Sequence, residues 1–230
     1  MDFISGEILY INKPLHWTSF TLVRILRNRL CRKLGIKKLK VGHAGTLDPL
    51  ATGVMIICTG RKTKLIESFQ YQTKEYVATI KLGETTPSFD LETAVDRTYE
   101  TAHITKELVE EKLKGFIGEI EQIPPAFSAC KVDGKRAYEF AREGQEVELK
   151  AKILAIDEIE LLEYDLPIMK IRVVCSKGTY IRALARDIGE VLNSGAHLIA
   201  LERTRIGEVK LSDCVDGSMI EEFVDTLILE

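Results

Sequence analysis

The twelve residues from Gly42 to Gly53 read Gly-His-Ala-Gly-Thr-Leu-Asp-Pro-Leu-Ala-Thr-Gly, and they constrain the fold more than any other stretch. Glycine admits positive φ, while Pro49 fixes its own φ and pushes Asp48 out of the helical region. The stretch therefore predicts a tight turn that holds a side chain rigidly outward. The wholly apolar Val54-Met55-Ile56-Ile57-Cys58 follows it, as a strand covered on both faces does. That order puts the turn at the mouth of a sheet.

Asp48 is the only acid between Ile8 and Ile66, a span that holds twelve bases and so carries a local charge of +11. The whole chain carries −3, so the remainder carries −14. A turn aspartate commonly hydrogen-bonds its own backbone, but a lone carboxylate inside a field of cations is also a candidate reacting group. A pI near 5.9 alone argues against a nucleic-acid binder. Segregation reverses that argument, because a Debye length of roughly 8 Å lets a basic groove act while distant acids are screened.

No run approaches the roughly 18 apolar residues of a membrane span, and Met1-Asp2-Phe3 lacks the basic start of a signal peptide. A cytoplasmic protein with no membrane partner is expected. Five cysteines without a Cys-x-x-Cys pair imply neither a disulfide framework nor a metal site. Thr59-Gly60-Arg61-Lys62-Thr63 has the wrong glycine spacing for a phosphate loop, which argues against nucleotide hydrolysis.

Read in order, residues 7–12 predict a strand ending at Lys13-Pro14. Thr18 or Ser19 then caps a helix with Phe20, Val23, Leu26, Leu30 and Leu34 inward and a basic outer face free of acids. Residues 74–82 alternate as a half-buried strand with Tyr76, Ala78, Ile80 and Leu82 on one face, and a polar loop carrying Asp90 follows. A helix over 106–116 faces inward through Leu108, Leu113 and Phe116. Asp133-Gly134 signals a hairpin inserted at about 124–150, made basic by Lys131, Lys135, Arg136 and Arg142. Strands are predicted over 147–164, 168–175 and 195–209, with helices over 180–193 and 218–229. Arg182 stands in a helical first turn, where a cation opposes the helix dipole and calls for a carboxylate. One α+β domain over residues 1–230 is the simplest reading.

The Gly42–Gly53 stretch resembles the signature loop of the TruB family of pseudouridine synthases. Further blocks agree in order: Lys13-Pro14 with Thr18-Ser19; Glu75-Tyr76-Val77; and residues 177–182 (Lys-Gly-Thr-Tyr-Ile-Arg) with Asp187-Ile188-Gly189 and Gly195-Ala196-His197. The resemblance implies the pseudouridine-synthase fold, a mixed and largely antiparallel central sheet flanked by helices, here with an inserted RNA-contacting hairpin. It implies isomerisation of the T-loop uridine at tRNA position 55, without metal or cofactor, by a monomer that takes the tRNA T-arm as partner.

By the same resemblance Asp48 is the catalytic aspartate and acts at C1′ of the sugar or C6 of the base. Arg182 pairs with it, and Tyr76 stacks on the flipped base. His43 fills the space left in the RNA, Leu201 walls the base pocket, and Lys13, Tyr180 and Lys131 join the RNA-binding set. The chemistry is consistent: a carboxylate can stabilise or trap the cation formed when a glycosidic bond breaks, and one carboxylate in a dry pocket suits recapture of the base better than hydrolysis. His16 stands where relatives carry glycine, and Asp90-Leu91-Glu92-Thr93 replaces Asp-Ala-x-Gly, so no role is assigned to Asp90. A chain stopping at Glu230 leaves little room for the relatives' small C-terminal RNA-binding domain, which is expected to be absent. Two other functions fit the same features: an RNA chaperone that refolds tRNA without chemistry, and a guide-RNA-dependent rRNA synthase.

Overall fold

The computed structural model describes residues 1–132, 134–145 and 147–228. Strand β1 (Ile8–Lys13) leads into helix α1 (Ser19–Leu34). Thr18 caps α1 by accepting the Thr21 N–H at 2.9 Å, and Gly35 closes it in the left-handed region. The buried stripe is Leu22, Val23, Leu26 and Leu30, whereas Phe20 is 67% exposed. Phe20 lies about 100° around the helix from the centre of that stripe at 3.6 residues per turn, so Leu22 takes the inward position expected of it.

Strands β2 (Val41–His43) and β3 (Ala51–Thr59) flank the glycine-rich turn. A 3₁₀ helix (Gly60–Leu65) and α2 (Ile66–Tyr71) lead into β4 (Lys74–Leu82), where every second residue from Lys74 is buried, as its alternation requires. Next come β5 (Glu84–Thr85), β6 (Arg97–Thr98), α3 (Lys106–Lys114) and β7 (Gly118–Gln122). Helix α3 buries Val109 and Leu113; Leu108 is only half-buried.

The inserted hairpin is formed by β8 (Lys131–Val132), β9 (Lys135–Arg136) and α4 (Ala137–Arg142). Gly134 has φ 87°, as the turn requires, while Asp133 lies outside the described residues. The chain continues through β10 (Lys152–Asp165), β11 (Ile168–Cys175), α5 (Ile181–Val191), β12 (Ala196–Ile206), β13 (Val209–Lys210), β14 (Val215–Asp216) and α6 (Ile220–Thr226). The strand expected from residue 147 begins at Lys152, Val191 faces solvent, and Leu229 of the predicted last helix lies outside the described residues.

Contacts divide the chain into two units, Met1–Tyr76 with Leu201–Glu230, and Val77–Ala200. Within the first, the strands run β14-β1-β3-β12, with β2 on β3 and β13 on β12. Pairs β1/β14 and β3/β12 are parallel, and β1/β3 and β2/β3 antiparallel. Within the second, β4, β11, β10 and β7 lie in that order, antiparallel at β11/β10 and β10/β7. The sheet is mixed and mostly antiparallel, with helices alongside: the expected α+β class.

The basic face of α1 is not wholly free, contrary to the expectation. Arg29 binds the Asp225 carboxylate through two guanidinium nitrogens and reaches Glu221 at 3.5 Å. Lys33 Nζ donates to the carbonyls of Val224, Asp225 and Leu227 at 2.8, 2.7 and 2.7 Å, neutralising the carbonyl end of α6. The acids that answer Arg29 come from nearly 200 residues downstream.

Candidate active site

In the first unit the turn around Asp48 is fastened carbonyl by carbonyl. Arg203 donates to the Gly45 carbonyl through Nη2 at 3.2 Å and to that of Thr46 through Nη1 at 3.5 Å. The Ser19 hydroxyl donates to the Leu47 carbonyl at 2.9 Å. The Asp48 carbonyl accepts the Ala51 N–H at 3.0 Å, and that of Pro49 accepts the His16 N–H at 2.7 Å. Five successive carbonyls are thus held, which leaves the turn little freedom to re-aim the half-buried Asp48 side chain.

His16 takes φ 65°, so the conformation that suits glycine at this position is kept without one. Gly45 and Gly53 use positive φ as expected, at 121° and 110°. Gly42 does not; an added Cβ there would lie 2.6 Å from Ile66 Cδ1, so its smallness admits α2 rather than a turn.

A row crosses the sheet beneath the turn, with Lys13 on β1 opposite Gly53 on β3, and Gly53 opposite Arg203 on β12. A Cβ on Gly53 would lie 2.2 Å from the Arg203 carbonyl oxygen, so the two backbones touch there. Lys13 is fully buried, and its ammonium donates to the carbonyls of Pro14 at 2.8 Å and Trp17 at 2.7 Å. Burial brings its pKa down to about 8, with Asp48 opposing the fall and Arg203 adding to it. Lys13 therefore meets the site from inside the protein, not as a surface cation.

His43 ends β2 opposite Ile57, and burial holds its imidazole below the ordinary histidine range. The Gly45 backbone partly offsets that effect, yet Nδ1 makes no well-formed hydrogen bond among the described residues. Leu201 pairs with Ala51, the residue whose N–H binds the Asp48 carbonyl. Tyr76 points to the buried side of β4, while Glu75 on the other side accepts from Thr204 at 2.8 Å and pairs with Arg205 at 3.5 Å. This unit brings together His43, Asp48, Leu201 and Lys13.

Arg182, Tyr180 and Lys131 belong to the second unit. Arg182 is buried in the first turn of α5, and the carboxylate near it in this unit is Asp90, at 3.5 Å. It also donates to the carbonyls of Ser88 at 3.2 Å and Phe127 at 3.0 Å. Asp90, left without a role by its unfamiliar sequence context, is 4% exposed and accepts the Glu92 N–H at 2.9 Å. The Gln122 side chain accepts from Tyr180 N–H at 2.9 Å and donates to its carbonyl at 3.2 Å. Burial pushes the Tyr180 phenol up to about 12, helped by Cys130, whose sulfur lies 3.3 Å from it. Lys131 is exposed on β8.

Arg203 is the site residue that sequence reasoning missed. An arginine in an alternating strand reads as a surface residue, and only the parallel pairing of β12 with β3 carries it under the turn. Among the described residues no cluster of His, Cys, Asp and Glu could hold a metal ion.

Solved structures with this architecture include one described as the archaeal box H/ACA sRNP Nop10-Cbf5 complex, with TM-score 0.67 and 25% identity over 96% of this chain and 54% of that one. Another is described as an H/ACA RNP bound to a substrate RNA containing 2′-deoxyuridine, with TM-score 0.68 and 25% identity over 97% of this chain and 53% of that one. The chain spans about half the length of those chains.

Fold and family relatives together define an isomerase of the pseudouridine-synthase class. Residues 32–181 match the TruB family pseudouridylate synthase N-terminal domain, and residues 182–227 match the tRNA pseudouridylate synthase B C-terminal domain. A Parabacteroides distasonis protein called tRNA pseudouridine synthase B is 71% identical over all of this chain and 98% of its own length. Its Phocaeicola vulgatus namesake is 70% identical with the same coverage, and that of Flavobacterium johnsoniae 50% identical over 96% of this chain and 97% of its own. The chain belongs to the TruB family.

Proposed function

We propose that the protein converts the T-loop uridine at position 55 of tRNA into pseudouridine, as a cytoplasmic enzyme without metal or cofactor. The observation that carries this reading is the turn of five tethered carbonyls presenting one carboxylate within a basic segment. Identity of about 70% to proteins named for tRNA, against 25% to the H/ACA ribonucleoprotein structures, favours tRNA over a guide-directed target.

In this reading the target nucleotide leaves the T-loop stack, which costs roughly a few kcal/mol. Contacts from exposed bases such as Arg24, Lys38 and Arg61 to phosphates offset that cost. His43, held neutral by burial, fills the gap in the loop. Tyr76 and Leu201 enclose the base, and Asp48 attacks the nucleoside as N1–C1′ breaks. The detached base turns, C5 bonds to C1′ as the bond from Asp48 breaks and its carboxylate is released, and the C5 proton is lost as N1 is protonated, so the product is an isomer of the substrate. Arg182 is the cation assigned to Asp48, and Asp90 holds it ready.

The test is tritium release from C5-labelled tRNA transcript. Asp48→Asn is expected to bind that transcript and release no tritium. Turnover by that variant would end the reading, and accelerated tRNA refolding without any release by the wild type would favour the chaperone.

A further inference from the structure

Arg203 is 2% exposed, yet no carboxylate lies within ion-pair distance of it among the described residues. Other arginines held in place contrast with it: Arg182 has Asp90, Arg186 has Asp187 at 2.6 Å, and Arg29 has Asp225. Its guanidinium instead reaches three carbonyls, with Nε on Val54 at 2.8 Å and Nη2 and Nη1 on Gly45 and Thr46. Burying a cation without a counter-ion is costly, and an apolar side chain of similar volume fills such a position at less cost. Packing alone therefore does not account for an arginine here.

What the guanidinium controls is the orientation of peptide planes. The Thr46 carbonyl and the Leu47 N–H belong to one peptide group; Arg203 holds its oxygen and the Ser19 hydroxyl accepts its N–H at 2.8 Å. Clamped from both sides, that plane cannot rotate, and it lies one residue before Asp48. Val54 ties the same guanidinium to the strand leaving the turn, so Arg203 spans both limbs.

We infer that Arg203 is a positioning residue for the reaction: it fixes the direction of the Asp48 carboxylate through the carbonyls of Gly45 and Thr46 without touching substrate. The inference rests on the assignment of catalysis to Asp48, so wild-type release of tritium from tRNA is established first, and a failure there is distinct from a failure of the variants.

The experiment compares Arg203→Met, Arg203→Lys and, as a control for lost stability, Ile206→Ala from the same strand's buried positions. Arg203→Met is expected to bind T-arm RNA within about twofold of wild type in an Asp48→Asn background, while its single-turnover rate falls about 100-fold, the scale of an ångström-sized misplacement. Arg203→Lys recovers part of that rate, since an ammonium keeps the charge and its donors but lacks the rigid planar fork that reaches Gly45, Thr46 and Val54 together. Hydrogen exchange at the Leu47 amide rises in Arg203→Met and not in Ile206→Ala. A single-turnover rate for folded Arg203→Met within about threefold of wild type, unchanged Leu47 protection, or an equal rate loss in Ile206→Ala overturns the inference. Should Arg203→Met fail to fold, folded Arg203→Lys with the full wild-type rate overturns it too.

Discussion

Ser19 and Leu47, twenty-eight residues apart, share two hydrogen bonds through a single hydroxyl, which donates to the Leu47 carbonyl at 2.9 Å and accepts the Leu47 N–H at 2.8 Å. The start of α1 is thereby joined to the residue preceding Asp48. Ser19→Ala leaves a buried carbonyl and a buried N–H without their partner. It is expected to destabilise the protein by about 1–3 kcal/mol and to slow single-turnover pseudouridine formation at unchanged RNA affinity. Urea unfolding and rapid-quench assays read the two effects separately.

Asp90→Asn is expected to lower both stability and rate. Arg182 and Asp90 are buried together, and since Arg182 keeps other partners such as the Ser88 and Phe127 carbonyls, loss of this one charged contact is expected to cost about 1.5–3 kcal/mol. The conservative Asp90→Glu keeps the charge but lengthens the arm, so it separates charge from geometry. Thermal unfolding gives the first effect and single-turnover assays the second.

Lys13 makes stability depend on pH in the alkaline range. Its pKa is about 8 in the folded chain against an ordinary 10.5, so the fold disfavours the ammonium. Below about pH 8 both states hold the proton and the penalty is full. Between there and 10.5 the unfolded chain binds more protons, so this group's contribution to stability rises with pH, with a slope approaching about 1.4 kcal/mol per unit. Lys13→Met is expected to abolish that rise, as measured by urea midpoints from pH 7.5 to 9.5.

Gly53→Ala puts a methyl group 2.2 Å from the Arg203 carbonyl oxygen at a φ of 110°. The backbone contact between β3 and β12 has no flexible side chain to yield, so a loss of about 4 kcal/mol or more is expected. Gly35→Ala, where nothing lies within 4 Å but φ is 65°, is expected to cost only about 1 kcal/mol. Thermal unfolding of the pair distinguishes crowding from conformational preference.

Local patterns were legible wherever one side of an element decides its structure. The alternation of β4 and the cap at Thr18 follow from chemistry within a few residues. So do the positive φ of Gly45 and Gly53 and the apolar strand after the turn. Phe20 was misread because an apolar stripe can drift around a helix near its start, where fewer turns constrain it. Contacts between distant segments were not legible. The acids of α6 on Arg29, Asp90 beside Arg182 and Arg203 under the turn all depend on tertiary pairing; Arg182 called for a carboxylate without showing that Asp90 lies beside it, and Arg29 and Arg203 in isolation read as solvated surface. The aspartate turn was visible as a motif; what makes it rigid was not.

Arg203 reaches Gly45 from 158 residues further along the chain. During synthesis the aspartate turn is made well before the arginine that holds its carbonyls. A nascent chain can therefore carry the complete signature motif before the turn is fastened from β12.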